Sequence, residues 1–320
     1  MLSYNQAVEQ GGRATPLSPH RNRRLILALC ALAVGVLVAG FWNFHLADGF
    51  GREIVAGRTI GDTESLAGSY GERGAGFGFV FAIIAGLAAT FTACNCVVFA
   101  MLPGLACATE NVGSPRRFAI KAIGIFSLFV LLVCFIYGMY VGSLGPDRVD
   151  AFNARETRLF QAQVTFTLLG IVLLVWGAIS FGFLDGMLRR LPPKVLHLAA
   201  SPLAKAGFMG ILVGLFAIGR PFPVFRNFLT YAAASESPLY GGAVMVLQGV
   251  GQILVMVLLF LILIVPFSKR LTDWSTRHPG RLEQFSSAML VAGGAYFVFY
   301  WGIAFAFNAG NWGFKLHWYS

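Results

Sequence analysis

The chain has 320 residues and a formal net charge of +10, yet it is 57% hydrophobic and only 12% charged. Soluble domains carry roughly 25% charged residues, and here the apolar residues fall in long uninterrupted runs, which excludes an ordinary soluble fold. The basic excess lies between those runs, where it reports membrane orientation, so nucleic-acid binding is set aside.

In chain order, residues 1–24 form a basic tail ending in Arg21, Arg23 and Arg24. The first apolar run, 25–44, is too long for a signal-peptide core and no small-x-small cleavage site follows it, so a retained membrane helix is expected. Residues 45–75 read as an external loop holding Asp48, Glu53, Asp62, Glu64 and Glu72. Six further runs follow, at 77–107, 119–142, 164–184, 206–232, 241–267 and 287–307, each long enough to cross a ~30 Å hydrocarbon layer as a helix. A tail, 308–320, closes the chain. Thirty Phe and 38 Gly suit lipid-facing surfaces and close helix contacts.

Lys and Arg concentrate on alternate segments: the N-terminal tail, Arg116/Arg117/Lys121, Arg189/Arg190/Lys194/Lys205 and Lys269/Arg270/Arg277/Arg281. Acidic residues lean to the other side. By the positive-inside rule the N-terminus is cytoplasmic and the C-terminus extracytoplasmic in a multi-pass protein of the cell (inner) membrane.

Two pairs of segments resemble each other at an offset of about 125 residues. Ala85-Gly86-Leu87 leading to Val98-Phe99 matches Val213-Gly214-Leu215 leading to Val224-Phe225, and Trp176-Gly177 matches Trp301-Gly302. The expected architecture is therefore an all-α membrane protein of seven transmembrane helices: one N-terminal helix, then two three-helix repeats, 76–184 and 205–307. An odd number of crossings inverts the second repeat, and such folds place their sites on interrupted helices.

The first helix of each repeat holds the least lipid-like residues. Matching Val98-Phe99 to Val224-Phe225 sets Cys94 opposite Arg220. Pro221 and Pro223 must break the second of these helices, and Pro103-Gly104 the first; broken backbone at membrane depth needs protein or a wet cavity to receive it. Arg220, costly inside a membrane, needs a partner. Either it caps carbonyls released by the prolines, or it has a functional role, binding an anion or lowering the pKa of a thiol.

All five cysteines fall in apolar runs. In Cys94-Asn95-Cys96 the thiols lie about 200° apart on a regular helix and meet only if the backbone unwinds. Unwound, they could cycle between dithiol and disulfide or hold a soft metal; otherwise they are inert packing. Gln248 and Gln252 share a helix face and are expected to hydrogen-bond between helices. The histidines offer no metal-ligand spacing, and no cofactor site is legible.

The segments Gly86-Leu87-Ala88, Cys94-Asn95-Cys96, Met101-Leu102-Pro103-Gly104 and Gly207-Phe208, Gly214-Leu215, Arg220-Pro221-Phe222-Pro223 resemble the core helices of the CcdA/DsbD transmembrane family of cytochrome c biogenesis. A divergent methylamine-utilisation branch, of MauF type, is similar in general plan. The resemblance covers about residues 76–307. It implies electron transfer from a cytoplasmic thioredoxin-like donor to an extracytoplasmic redox protein of cytochrome c or methylamine dehydrogenase type. The sequence departs from the family's Cys-x-x-Pro pattern. Arg220 stands where the second cysteine belongs while Pro223 is kept, and neither Cys94 nor Cys96 has a proline three residues on. Any thiol chemistry here uses Cys94 and Cys96 together, with Arg220 as electrostatic partner.

Three functions stay open on these residues: thiol/disulfide handling, a secondary transporter of a small anion or thiol compound centred on Arg220, and an assembly factor acting through 45–75.

Overall fold

The computed structural model describes residues 19–92, 115–184, 186, 201–277 and 281–319. Cys94, Cys96 and Pro103 lie outside these residues. The described chain is helical: α1 Pro19–Gly40, α2 Phe44–Gly49, a π-helix Phe50–Gly57, α3 Thr63–Ala67, α4 Tyr70–Ala89, α5 Pro115–Gly142, α6 Gly145–Asn153, α7 Arg155–Ser180, α8 Pro202–Gly219, α9 Pro223–Ala233, α10 Pro238–Arg277, α11 Arg281–Phe297 and a second π-helix Val298–Ala304. Among the described residues six helices are long and apolar enough to cross a membrane; α8 and α9, bent by 83°, make a seventh span if counted together.

The pattern on α5 explains how such a helix divides lipid from protein. Ala122, Phe126, Val130, Cys134, Tyr137 and Val141 recur at three- and four-residue spacing and are buried, while Leu128, Leu132, Ile136 and Tyr140 are exposed. Both faces are apolar, so the exposed one suits lipid. With no hydrophobic drive between helices in lipid, close packing through small residues has to hold them.

That packing carries the two-fold plan. The first helix of each repeat lies against the second helix of the other, α4 on α10 and α8 on α5, while α5 meets α10 and α7 meets α11. Equivalent glycines mark equivalent contacts: Gly86 abuts the α10 backbone at Gln248, and Gly214 abuts α5 at Val133. Gly170 of α7 and Gly294 of α11 face each other. A Cβ on the first would sit 2.9 Å from the other's carbonyl oxygen, and on the second 2.8 Å in return. Their reciprocal contact places them at the axis relating the halves. α1 stands outside this core, against α11.

Contacts also sort the connections between two faces. Tyr319 donates to the carbonyl of Phe41, and Trp318 stacks on Phe41 at 4.8 Å, so the C-terminal tail sits over the end of α1. The α5–α6 turn at Gly142 meets Ser237 on the same face. Arg24 reaches the Phe181 carbonyl on the opposite, basic face.

Two of the sequence expectations need correction. The helix of the run 77–107 starts early, at Tyr70, across a kink where Gly74 adopts φ 68°, open to glycine, and it ends at Ala89. The Gly74 and Ala75 carbonyls freed by that kink accept from the hydroxyls of Tyr231 (2.7 Å) and Tyr240 (2.8 Å). The run 206–232 is two helices, broken at Pro221 and Pro223 as the sequence led one to expect. Residues 45–75 form ordered helical segments: Gly51 packs on the Ala88 carbonyl and on Phe222, so this connection is part of the core.

Candidate functional site

The break between α8 and α9 follows from two residues that precede prolines. A proline clashes with a helical residue before it and pushes that residue into extended geometry. Arg220, before Pro221, has φ −69° and ψ 115°; Phe222, before Pro223, has φ −57° and ψ 123°. Two extended residues separated by Pro221 turn the chain by 83°, after which Pro223 opens α9 at a position where its missing N–H costs nothing.

Arg220 is 0% exposed. Its Nη1 donates to Oε1 of Gln252 on α10 at 3.0 Å, and its guanidinium lies 5.4 Å from the Phe225 ring centroid. Gln248 Nε2 donates to the same Gln252 oxygen at 3.4 Å, and the Thr90 hydroxyl donates to the Gln252 main-chain carbonyl at 3.0 Å. Gln252 thus bonds between helices as the sequence suggested, tying the end of α8, α10 and the end of α4 at one point, while Gln248 supports it from one turn earlier on the same helix.

Carbonyl capping falls to a second buried cation. Arg226, 2% exposed on α9, donates from Nε to the carbonyl of Arg220 at 2.6 Å. Its Nη1 donates to Asn153 Oδ1 at 3.4 Å, and Asn153 Nδ2 donates to the Arg226 carbonyl (3.1 Å) and to Thr230 Oγ1 (2.9 Å). The Phe152 ring centroid lies 5.6 Å from its guanidinium. The sequence offered only a weak signal for Arg226: by charge pattern it belongs with the external connections. Its position six residues after Arg220 on an amphipathic helix becomes meaningful only once the bend is known.

A cavity of about 460 Å³ opens beside this break. Pro221, Phe222 and Arg220 line it, with Thr92 just beyond α4, Arg155, Arg158 and Leu159 from the start of α7, and Trp42, Tyr300 and Trp301 from neighbouring segments. Gly310 and Asn311 of the C-terminal tail also line it, so it belongs to the face bearing that tail. Among the described residues, Asp48 of α2 supplies the one carboxylate in the lining. Burial pushes its pKa from 3.8 up to about 6, against the opposing pull of Arg220, Arg52 and His45. The sequence placed Asp48 in a solvent-exposed loop; folding of 45–75 onto the core brings it to the break.

The residues proposed from sequence therefore divide. Arg220, Pro221 and Pro223 form one site. Cys94 and Cys96 lie outside the described residues, two and four positions after Thr92 in the cavity wall. Cys134 is buried against Gly249 of α10, where it packs, and Cys30 is exposed on α1. Chemically, the break sets a fixed positive charge in a low-dielectric wall beside a mainly apolar cavity, an arrangement that favours an anion or a thiolate. Comparison with known protein families, with characterised proteins and with solved structures finds no match to this chain.

Proposed function

We propose that this protein is a CcdA-like carrier of reducing equivalents in the cell (inner) membrane, supporting disulfide handling or maturation of an extracytoplasmic redox protein of the cytochrome c or methylamine dehydrogenase type. One observation carries the reading: Thr92 and Arg220 share a cavity wall, and the chain runs from Thr92 directly into Cys94-Asn95-Cys96. The inverted pair of halves, with its first helix broken at Arg220, supports the same reading.

In this mechanism the Cys94/Cys96 dithiol passes two electrons and two protons to a client disulfide and becomes a disulfide itself. A cytoplasmic thioredoxin-like donor returns it to the dithiol. Arg220 favours the attacking thiolate by its charge. The positive-inside distribution of Lys and Arg supports an outward-facing cavity and a cytoplasmic N-terminus.

Thiol trapping on membranes tests this reading, comparing reduced and untreated samples of the wild type and the Cys94→Ser/Cys96→Ser double variant. A reversible mobility shift that disappears in the double variant supports it. Thiols that stay reduced and unreactive overturn it. Cys134 serves as an internal control, because its buried sulfur should not react without unfolding.

A second reading, a secondary carrier for a small anion or thiol compound, is favoured by the cavity's own charge: Arg155, Arg158 and Arg220 against Asp48. Arg220→Lys separates the readings. A point charge suffices to support a thiolate, whereas a carrier built on planar guanidinium geometry should lose activity.

A further inference from the structure

The lining of the cavity joins two chemistries. Arg155 and Arg158 lie at the start of α7, one turn apart, and among the described residues neither makes an ion pair. Arg155 is exposed and Arg158 half-buried, so both can reach a ligand. Arg220 has no accessible surface and acts on the cavity as a fixed charge through its wall. Among the described lining residues, Asp48 is the one acid set against these three cations. The remaining wall is largely aromatic, with Trp42, Phe44, Tyr300 and Trp301 beside Phe222. Its volume of about 460 Å³ falls in the ~300–1,000 Å³ range of small-molecule sites.

We propose that this cavity binds a small organic carboxylate, its charged end on Arg155 and Arg158 and its apolar body against Trp42, Tyr300 and Trp301, and that ionised Asp48 in the same wall opposes it by like charge. The proposal deepens the anion-site reading above and does not require Cys94 or Cys96 to be redox-active.

Asp48 makes binding proton-coupled. With its carboxyl ionised, it repels a ligand carboxylate that enters the same cavity. Protonated, it leaves the cavity with a larger positive excess. The groups acting on it are His45 on its own helix, Arg52 from the π-helix, and Arg220 at the break. Arg155, Arg158 and the Tyr300 hydroxyl share the cavity with it. Glu53 is engaged with Arg52 at 3.0 Å. Burial already favours the neutral form of Asp48, with a pKa of about 6, so the exchange falls in an accessible pH range. A second carboxylate entering the cavity raises that pKa further, so binding near neutral pH takes up a fraction of a proton per ligand.

Binding of benzoate to the purified full chain in nanodiscs, followed by calorimetry between pH 5 and 8, tests this. Acetate probes the need for an apolar body, and benzylamine the need for negative charge. Benzoate affinity should fall about tenfold from pH 5 to pH 8, one unit of coupling being a factor of ten. Asp48→Asn should bind at pH 8 as the wild type binds at pH 5, and Arg155→Gln, at an exposed position, should weaken binding at both. Benzylamine binding as well as benzoate, absence of benzoate binding at every pH, or an unchanged pH profile in Asp48→Asn would each overturn the proposal. Benzoate uptake into proteoliposomes is read separately: binding without uptake keeps the site and removes the carrier reading, and the thiol trap reports on Cys94/Cys96 independently of both.

Discussion

The side chain of Arg226 holds the main chain of Arg220, its Nε donating to the Arg220 carbonyl at 2.6 Å. Two buried cations six residues apart thus divide the work of the break. Arg226 satisfies the backbone that the prolines disrupt, which leaves the Arg220 guanidinium directed to Gln252 beside the cavity.

Replacing Arg226 with Gln should therefore destabilise the protein by about 2–3 kcal/mol, the loss of charge-assisted bonds to a buried carbonyl. Arg226→Lys should not restore it, because one ammonium cannot serve the Arg220 carbonyl and Asn153 with the same planar fork. Thermal unfolding in detergent, read by tryptophan fluorescence, measures both variants.

Gln252→Leu removes an acceptor of Arg220 and should cost about 2–3 kcal/mol by the same measurement. Gln252→Glu keeps an acceptor of nearly equal shape and adds a charge opposite to Arg220, so it should be markedly better tolerated. Equal losses in the two variants would show that the guanidinium does not depend on this oxygen.

At the axis between the halves, Gly170→Leu and Gly294→Leu should each cost about 1–3 kcal/mol by forcing α7 from α11. Both substitutions press on one contact, so the double variant should cost less than their sum. Strict additivity would argue against a shared contact.

Asp48 gives the pH dependence a definite sign. Its folded pKa of about 6 lies above the ordinary 3.8, because burial disfavours the charge. Between those values the folded chain holds a proton that the unfolded chain releases, so this contribution to stability is full below 3.8 and is lost as pH rises toward about 6. Asp48→Asn should raise the melting temperature at pH 7–8 relative to wild type and leave it nearly unchanged near pH 4. Melting curves across this range, with both proteins in the same detergent, decide it.

Much of the architecture was legible because its causes are local or periodic. Apolar runs set the solvent and the approximate spans, since a lipid-facing helix must be apolar on its outer face as well as its inner one. The offset between Gly86 and Gly214, and between Trp176-Gly177 and Trp301-Gly302, pointed to two halves because each small residue marks an equivalent close approach. The two residues before Pro221 and Pro223 carried the bend in their own sterics.

What only the tertiary structure decided depends on partners remote in sequence. The Arg220 partner lies 32 residues away on α10, and the Asn153 bonds that seat Arg226 span 73. No local pattern distinguishes a buried arginine with such partners from a solvated one. Asp48, Arg155 and Arg158 each read as ordinary polar residues of external connections; they meet only because α2 and the π-helix fold onto the broken span at the start of α7. Chain propensity and periodicity determine which segments enter the membrane, whereas the charge inside a cavity is a sum over segments that only packing brings together.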